Sequence, residues 1–305
     1  MNEDKAQDAT EDPPTDALPR AQIREPLPSL VLVSTPIGNL QDLSDRAREV
    51  LSCVNVILCE DTRTSAVLLR THNIRQKCIA LHEHNEEAAL PRLIESMQAG
   101  QRFALISDAG TPLVSDPGYR LVRATIDAGL SVSGVPGPNA AVLALTLSGL
   151  PPQPFLFTGF LPPRHGARRA AMAALRGAEL AGLNATHVFY EAPHRLAAFL
   201  TDAMSIFGPR PAAVCRELTK HFEEVRRDTL ATLAAHYTAV QARGEIVVVI
   251  GPAGQDEEGA KSLEESLRVA LARMSVKDAA AAVAAATGLP KKQVYRRALE
   301  LLDQG

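Results

Sequence analysis

The feature of this sequence that most constrains its fold is a regular alternation of short, β-branched apolar runs with helical segments, which begins at Leu30. Such alternation predicts an α/β layer, because each strand can be covered by the helix that follows it. Ser44 is typical of a helix N-cap and begins the first helix. The predicted strands of this half are Leu30–Thr35, Val54–Glu60, Cys78–His82, Arg102–Asp108 and Leu130–Val135.

A proline-rich segment, Gly149–Pro154, interrupts the alternation, which restarts at Phe155. We therefore predict two α/β domains, over residues 29–149 and 155–254, with a ligand cleft between them. The predicted strands of the second half are Phe155–Phe160, Thr186–Tyr190, Ala212–Glu217 and Glu245–Ile250.

The two ends of the chain differ from these α/β halves. Residues 1–28 hold seven acidic residues, three basic residues and five prolines, so we predict a disordered acidic tail. Residues 255–259 suit a polar linker, and residues 262–305 suit a helical extension. Within this extension the spacing of Ala284, Gly288 and Val294 fits a helix-turn-helix.

Composition excludes several classes of protein. The polar N-terminus has no apolar segment of the kind found in secretory signals, and no apolar run is long enough to span a membrane. The four cysteines are scattered without a CxxC motif, which favours buried thiols in a reducing cytoplasm. We therefore predict a cytoplasmic protein without a protein-bound metal.

Three rigid loops follow three predicted strands of the first half. They are Thr35–Asn39, Ser107–Gly118 and Gly134–Asn139, each rich in glycine and proline. Ligands of open α/β sheets bind beyond the carboxyl ends of the strands, so three such loops together predict a binding site. Asp108 and Asp116 would add carboxylates that accept hydrogen bonds from ribose hydroxyls or an amino group.

The ligand of these loops is not expected to be a phosphate. The sequence has no GxxxxGK[ST] motif and no GxGxxG motif after the first strand. Phosphates prefer free amides and positive potential, whereas these loops are stiffened by proline and carry acids. They suit a ligand with hydroxyls, an adenine and a cationic group.

Six motifs resemble those of the ribosomal RNA small subunit methyltransferase I family, within the tetrapyrrole-methylase superfamily. The resemblance runs in order from Leu30 to Gly254, and the final helical segment resembles that family's C-terminal extension. The motifs are Leu32–Leu40, Cys59–Arg63, Ser107–Gly118, Val135–Asn139, Tyr190–Arg195 and Gly244–Gly251.

The resemblance implies two α/β domains of the class III methyltransferase type, usually as a homodimer, with S-adenosylmethionine bound in the cleft. It also implies transfer of a methyl group to the ribose 2′-hydroxyl of a decoding-region cytidine in 16S rRNA. The cofactor contacts that it implies are Asp108, Ala109, Gly110, Ser115, Asp116, Pro136, Gly137, Gly159, Leu161, Tyr190 and Ala192.

A ribose hydroxyl is a weak nucleophile near neutral pH, so it benefits from a positioned base or from a lysine whose pKa is lowered. We expect Lys220 and Glu191 to assist deprotonation, and Arg63 and Arg195 to hold a phosphate or ribose. The other polar residues at these strand ends are Glu60, Asp61, His194, Arg216 and Glu217.

Basic segments supply the expected contacts with 16S rRNA or the small ribosomal subunit, because exposed cations attract phosphates. Two other functions stay open: a methyltransferase of the same fold that acts on a precorrin-like tetrapyrrole, and a non-enzymatic nucleic-acid-binding regulator. The expected RNA contacts are Arg164, Arg168, Arg169, Arg195, Lys291, Lys292, Arg296 and Arg297.

Overall fold

The computed structural model describes residues 26–253, 255–287 and 290–303. The predicted acidic tail therefore lies outside the described residues as far as residue 25, as do Gly254 and the predicted turn residue Gly288.

One compact unit contains a five-stranded sheet, and comprises the described residues up to Val33 together with Leu43–Asp108 and Pro117–Val135. Every strand pair is parallel, in the order β3-β2-β4-β1-β5. Ser44 caps the first helix by accepting the Ala47 N–H at 3.1 Å, as predicted. The elements are β1 Leu30–Val33, α1 Asp45–Cys53, β2 Val56–Cys59, α2 Thr62–Thr71, β3 Lys77–Ala80, α3 Glu83–Gln98, β4 Phe103–Leu105, α4 Tyr119–Asp127 and β5 Val132–Val135.

A second unit, with residues 34–42, 109–116 and those from Pro136 onward, contains another five-stranded sheet. Its order is β6-β7-β10-β8-β9, in which only the β6–β7 pair is parallel. Separate apolar clusters pack against α5 and against the α7–α8 pair. The elements are α5 Ala140–Ser148, β6 Phe155–Phe160, α6 His165–Leu180, β7 Thr186–Glu191, α7 Leu196–Phe207, β8 Pro211–Arg216, β9 Glu224–Thr229, α8 Leu230–Ala239 and β10 Ile246–Ile250.

Three helices end the described chain: α9 Gln255–Leu271, α10 Val276–Thr287 and α11 Lys291–Asp303. Leu267 of α9, Ala279 of α10, and Val294 and Ala298 of α11 are buried in one apolar cluster, so the three helices pack together. The linker prediction for residues 255–259 is wrong, because these residues begin α9. Acidic side chains in a first helical turn favour a helix through its dipole, so polarity alone did not mark a linker.

Two further features differ from the sequence prediction. Strand β9 was not predicted, because an edge strand of sequence EVRRDT is half-exposed and lacks an apolar run. Helix α5 belongs to the second unit, although its sequence lies before the proline-rich segment.

A buried ionic network lies inside the second unit. The Glu179 carboxylate is 2.7 Å from Nε2 of His187 and 2.7 Å from Nη1 of both Arg176 and Arg210. Burial alone would raise the pKa of Glu179, but these hydrogen bonds outweigh it and lower that pKa to about 2. The carboxylate is therefore the anion on which two buried guanidinium groups depend.

Among the described residues, no helix has the length and apolar character required to cross a membrane.

Candidate functional site

The three rigid loops are bonded to one another. Thr35 and Gly110 exchange two backbone hydrogen bonds, at 2.8 and 3.1 Å. Thr111 Oγ1 donates to the carbonyl of Pro138 at 3.1 Å and accepts from the Asn139 amide at 3.3 Å. The structure therefore brings together the loops that follow β1, β4 and β5, as the sequence predicted.

Close packing explains two of the glycines among the expected cofactor contacts. A Cβ on Gly137 would lie 2.9 Å from Cβ of Ser34, and a Cβ on Gly159 would lie 2.8 Å from Oγ of Ser115. Both distances are shorter than van der Waals contact, so neither position has room for a side chain.

The loop after β4 carries backbone strain. Leu113 and Ser115 have φ angles of 71° and 69°, a region that non-glycine residues rarely occupy. Such strain often marks ligand sites, because the surrounding structure must hold it in place. Ser115 and Ala109 are exposed here, and Asp116 is partly buried.

Among the second-unit candidates, Tyr190 is firmly held. Its ring packs edge to face against Phe157, with the ring centroids 4.9 Å apart, and burial raises the pKa of its hydroxyl. Leu161 is buried, Ala192 is partly buried and Pro136 is exposed. These side chains are uncharged, so they suit neutral parts of a ligand.

A concavity of about 510 Å³ lies against the first and third loops. Its walls include Ile37, Gly137, Asn139, Leu143 and Thr219. This volume is within the range of small-molecule sites.

An acidic cluster stands at the carboxyl edge of the first sheet. The Asp61 N–H donates to Oδ1 of Asp108 at 3.2 Å. Burial raises the pKa of Asp108 and of Glu60, and in each case a neighbouring carboxylate adds to the effect. The edge therefore suits hydroxyl groups or a cation better than a phosphate.

Arg63 is bound to this cluster. Its guanidinium donates to Asp61 through Nη2 at 2.7 Å and through Nε at 3.1 Å. This hydrogen bonding lowers the pKa of Asp61 to about 2. The side chain remains 90% exposed, so a further contact with a phosphate or ribose is sterically open.

Lys220 lies in a strained loop after β8, where Glu217 and Thr219 have φ angles of 51° and 67°. Its Nζ is 2.9 Å from Oε1 of Glu217 and 3.1 Å from Oε2 of Glu245. A Cβ on Gly38 would overlap Cγ of Lys220, so the side chain of the lysine crosses directly over the first loop.

The structure favours a protonated Lys220, whereas the sequence analysis expected a lysine with a lowered pKa. Burial would lower its pKa, but the hydrogen bonds to Glu217 and Glu245 outweigh burial and raise it. The expectation of a lowered pKa is therefore wrong, and Lys220 is held as a cation near neutral pH. The sequence analysis did not predict a role for Glu245. Its position after Gly244 and directly before the buried strand β10 could have indicated one.

Glu191 is buried and does not reach solvent. It accepts from the Ala192 N–H at 2.8 Å and from Nη2 of Arg195 at 3.2 Å. Burial raises its pKa, and these contacts oppose that effect. Arg195 in turn donates to the Leu161 carbonyl at 2.8 Å, so this pair holds the backbone beside the expected pocket.

The expected RNA-contacting arginines at the start of α6 divide into two groups. Arg164 is exposed, whereas Arg168 is buried, with Nη2 2.7 Å from Oδ2 of Asp202. Arg169 and His165 also reach Asp202, at 3.2 and 3.1 Å. Arg168 is therefore a buried structural residue rather than a surface contact, and Asp202 is the partner that sequence reasoning missed.

On α11, Lys291, Lys292 and Arg296 are exposed. Arg297 is ion-paired with Glu264 and Glu300, which raises its pKa and joins α11 to α9. In the part of the chain that the structure describes, no group of three or more His, Cys, Asp or Glu side chains could hold a metal ion.

Residues 29–234 match the family model of Tetrapyrrole (Corrin/Porphyrin) Methylases. The fold agrees with the crystal structure of the methyltransferase CobJ, with a TM-score of 0.56 and 16% identity over 74% of this chain and 95% of that chain. The fold and its loops therefore define a methylase of the tetrapyrrole-methylase class.

Residues 256–302 match the RsmI C-terminal HTH domain. The chain is 49% identical to ribosomal RNA small subunit methyltransferase I of Mesorhizobium japonicum, over 90% of this chain and 93% of the relative. Its identity to the protein of the same name in Xylella fastidiosa is 46%, over 88% and 97%. The chain belongs to the ribosomal RNA small subunit methyltransferase I family.

Proposed function

We propose that this protein transfers a methyl group from S-adenosylmethionine to the ribose 2′-hydroxyl of a decoding-region cytidine in 16S rRNA. The observation that carries the proposal is the Lys220 ammonium, held by two carboxylates directly over the Gly38 backbone of the first loop. Relatives at 40–49% identity are named as methyltransferases of the small-subunit ribosomal RNA, which supports this RNA as the acceptor.

The chemistry of the loops fits the proposed methyl donor. Carboxylates accept hydrogen bonds from ribose hydroxyls and attract a cationic group. At the crowded glycines, only backbone atoms face the neighbouring residues. When bound, S-adenosylmethionine supplies an electrophilic methyl carbon on a sulfonium. We propose that the donor is held by Asp108, Ala109, Gly110, Ser115, Asp116, Pro136, Gly137, Gly159, Leu161, Tyr190 and Ala192.

Lys220 acts in this proposal through its charge. A fixed ammonium stabilises the negative charge that develops on the 2′-oxygen as its proton passes to solvent water, and it needs no reorganisation to do so. Glu217 and Glu245 hold Nζ in place, and the strained loop fixes the backbone beneath it. Glu191 acts as a positioning residue through Arg195 rather than as a base.

Arg63 keeps its proposed role as a contact to a phosphate or ribose, since its outer face is open. We propose that further RNA phosphates are bound by cations outside the loops: Arg164, Lys291, Lys292 and Arg296, which are exposed, and Arg169, which is partly buried and paired with Asp202. The homodimer and the cytoplasmic location stay predictions.

The exposed cations of α11 and the relatives named as rRNA methyltransferases favour RNA over a tetrapyrrole acceptor. The methylase family match likewise favours an enzyme over a regulator that only binds nucleic acid.

The test offers the full chain S-adenosylmethionine with a labelled methyl group and one acceptor at a time: small ribosomal subunits, naked 16S rRNA, uroporphyrinogen or duplex DNA. We expect label in rRNA from at least one of the first two acceptors and none in uroporphyrinogen. Label in the tetrapyrrole alone, or DNA binding without methyl transfer, would overturn the proposal.

A further inference from the structure

Phe160 is the last residue of β6, an edge strand of the second sheet. Its side chain is 56% exposed, although Gly159 and Leu161 on either side are buried. A single exposed apolar residue is ordinary on a protein surface, so exposure alone carries no argument. Phe160 differs from an ordinary exposed residue because its ring packs against a neighbouring aromatic ring.

Tyr190 supports the Phe160 ring from the neighbouring strand. The two residues are paired in the β6–β7 register, and their ring centroids lie 5.6 Å apart at an interplanar angle of 61°. Such an edge-to-face contact occupies at most one face of Phe160, which leaves the other face open. Tyr190 itself packs edge to face against Phe157, with the ring centroids 4.9 Å apart.

The backbone after Phe160 is clamped as well. Nη2 of Arg195 donates to the carbonyls of Leu161 and Pro162, at 2.8 and 3.4 Å. Arg195 is anchored in turn by the buried Glu191. An aromatic ring that is supported on one face, and whose following backbone is held in place, loses little conformational freedom when a ligand binds to its open face.

The charge beyond this clamp suits a nucleic acid. Two prolines lead from Leu161 to Arg164, which is exposed, and Arg169 lies one turn further along α6. An aromatic face beside cationic side chains is the combination that binds single-stranded nucleic acid, in which bases stack on the ring and phosphates meet the cations.

We propose that Phe160 is a stacking platform for a nucleobase of the RNA acceptor, preorganised by Tyr190 and by the Glu191–Arg195 clamp. This proposal rests on the proposed rRNA methyltransferase function. It assigns to Phe160 the recognition of the acceptor, separate from binding of the methyl donor.

The first test compares Phe160→Ala and Phe160→Leu with Phe155→Ala. Phe155 is a matched control, because it lies on the same strand and is also exposed, at 43%. Loss of one base stack, worth about 1–3 kcal/mol, lowers kcat/KM for the RNA acceptor by roughly 5–150-fold. We expect this loss in both Phe160 variants, with donor affinity changed less than about twofold, and no loss in the control.

The second test uses the absence of tryptophan from the sequence. A Phe160→Trp variant carries a single indole at the platform and keeps an aromatic face. We expect it to retain methyl transfer and to show quenched fluorescence when 16S rRNA or small subunits are added, but not when S-adenosylmethionine is added alone. This readout does not depend on the stability of the alanine and leucine variants.

Three results would overturn the inference: wild-type kcat/KM in Phe160→Leu, a parallel loss of donor affinity, or quenching by the donor alone. These outcomes differ from failure of the proposed function, in which the wild-type chain itself transfers no methyl group to rRNA and both proposals fall.

Discussion

Replacement of Lys220 by alanine tests whether a fixed cation drives the methyl transfer. The substitution removes an ammonium that contacts Glu217 at 2.9 Å and Glu245 at 3.1 Å. It leaves the backbone of the strained loop in place, because Glu217 also accepts the Glu245 N–H at 2.9 Å. The change should therefore alter the charge of the site more than its shape.

The substitution should affect both stability and rate. Glu245 is 70% exposed, so its ion pair with Lys220 contributes about 0–1 kcal/mol, whereas the pair with Glu217, whose side chain is 19% exposed, contributes about 1.5–3 kcal/mol; the free energy of unfolding should therefore fall by no more than about 4 kcal/mol. Loss of a preorganised group that stabilises developing charge costs about 10²–10³-fold in kcat. A variant that stays folded but transfers methyl groups some hundredfold more slowly is thus the predicted result.

A Lys220→Arg variant separates charge from proton transfer. Arginine keeps the cation but stays protonated, since its pKa exceeds about 12. If the positive charge is the property that matters, Lys220→Arg should keep at least about a tenth of the wild-type rate. Lys220→Ala should lose most of the wild-type rate.

The assay measures single-turnover methyl transfer to small subunits, with donor affinity measured by calorimetry and stability by thermal unfolding. Lys77→Ala, on the exposed start of β3, is the control for loss of a lysine elsewhere. Near-wild-type turnover in Lys220→Ala would remove the residue from the mechanism. An inactive Lys220→Arg that still binds donor would instead show that Lys220 must lose its proton.

Three further predictions concern packing, stability and RNA binding. A Gly38→Ala change pushes Lys220 aside and lowers kcat by about 100-fold, as expected for a misplacement near 1 Å, whereas Gly177→Ala, with open space around it, serves as the unaffected control. Glu179→Gln leaves buried arginines without their anion and lowers the free energy of unfolding by about 3–5 kcal/mol in urea denaturation, unlike Glu95→Gln on the exposed face of α3. Because the pKa of Glu179 is depressed from 4.5 to about 2, its contribution of about 3 kcal/mol is present above pH 4.5 and is lost as the pH falls toward 2, which the difference between wild-type and Glu179→Gln melting curves measures. Alanine at the three exposed cations of α11 weakens RNA binding and flattens its dependence on salt, whereas unchanged binding at low and high salt would rule out that contact; the residues are Lys291, Lys292 and Arg296.

The alternation of strands and helices could be predicted from the sequence because it reflects local patterning. Buried parallel strands such as Val56–Cys59 are short apolar runs, and caps such as Ser44 mark helix starts. The three loops could be predicted as neighbours because the order of strands places their ends at one sheet edge. The edge strand β9 was missed because its charged sequence lacks an apolar run, and the helical start of α9 was missed because a polar composition does not distinguish a linker from a helix.

The chemistry of individual side chains was harder to predict. The pKa of Lys220 is raised by hydrogen bonds to Glu217 and to Glu245, the second of which lies 25 positions further along the chain, and Arg168 is buried because Asp202 neutralises it. The position of Glu191 at a strand end is typical of an exposed acid, yet its side chain is buried and forms an ion pair with Arg195. Each of these properties depends on a tertiary partner, and burial combined with pairing decides whether a charged residue faces a ligand or stabilises the fold.

The measurement that tests the central claim most directly is nucleoside analysis of 16S rRNA after reaction with the wild-type chain and labelled S-adenosylmethionine. Nuclease digestion followed by mass spectrometry separates a methyl group on the ribose from one on the base. The account predicts 2′-O-methylcytidine, confined to one decoding-region fragment and strongly reduced with Lys220→Ala. A base-methylated nucleoside, or label outside the decoding region, would contradict it.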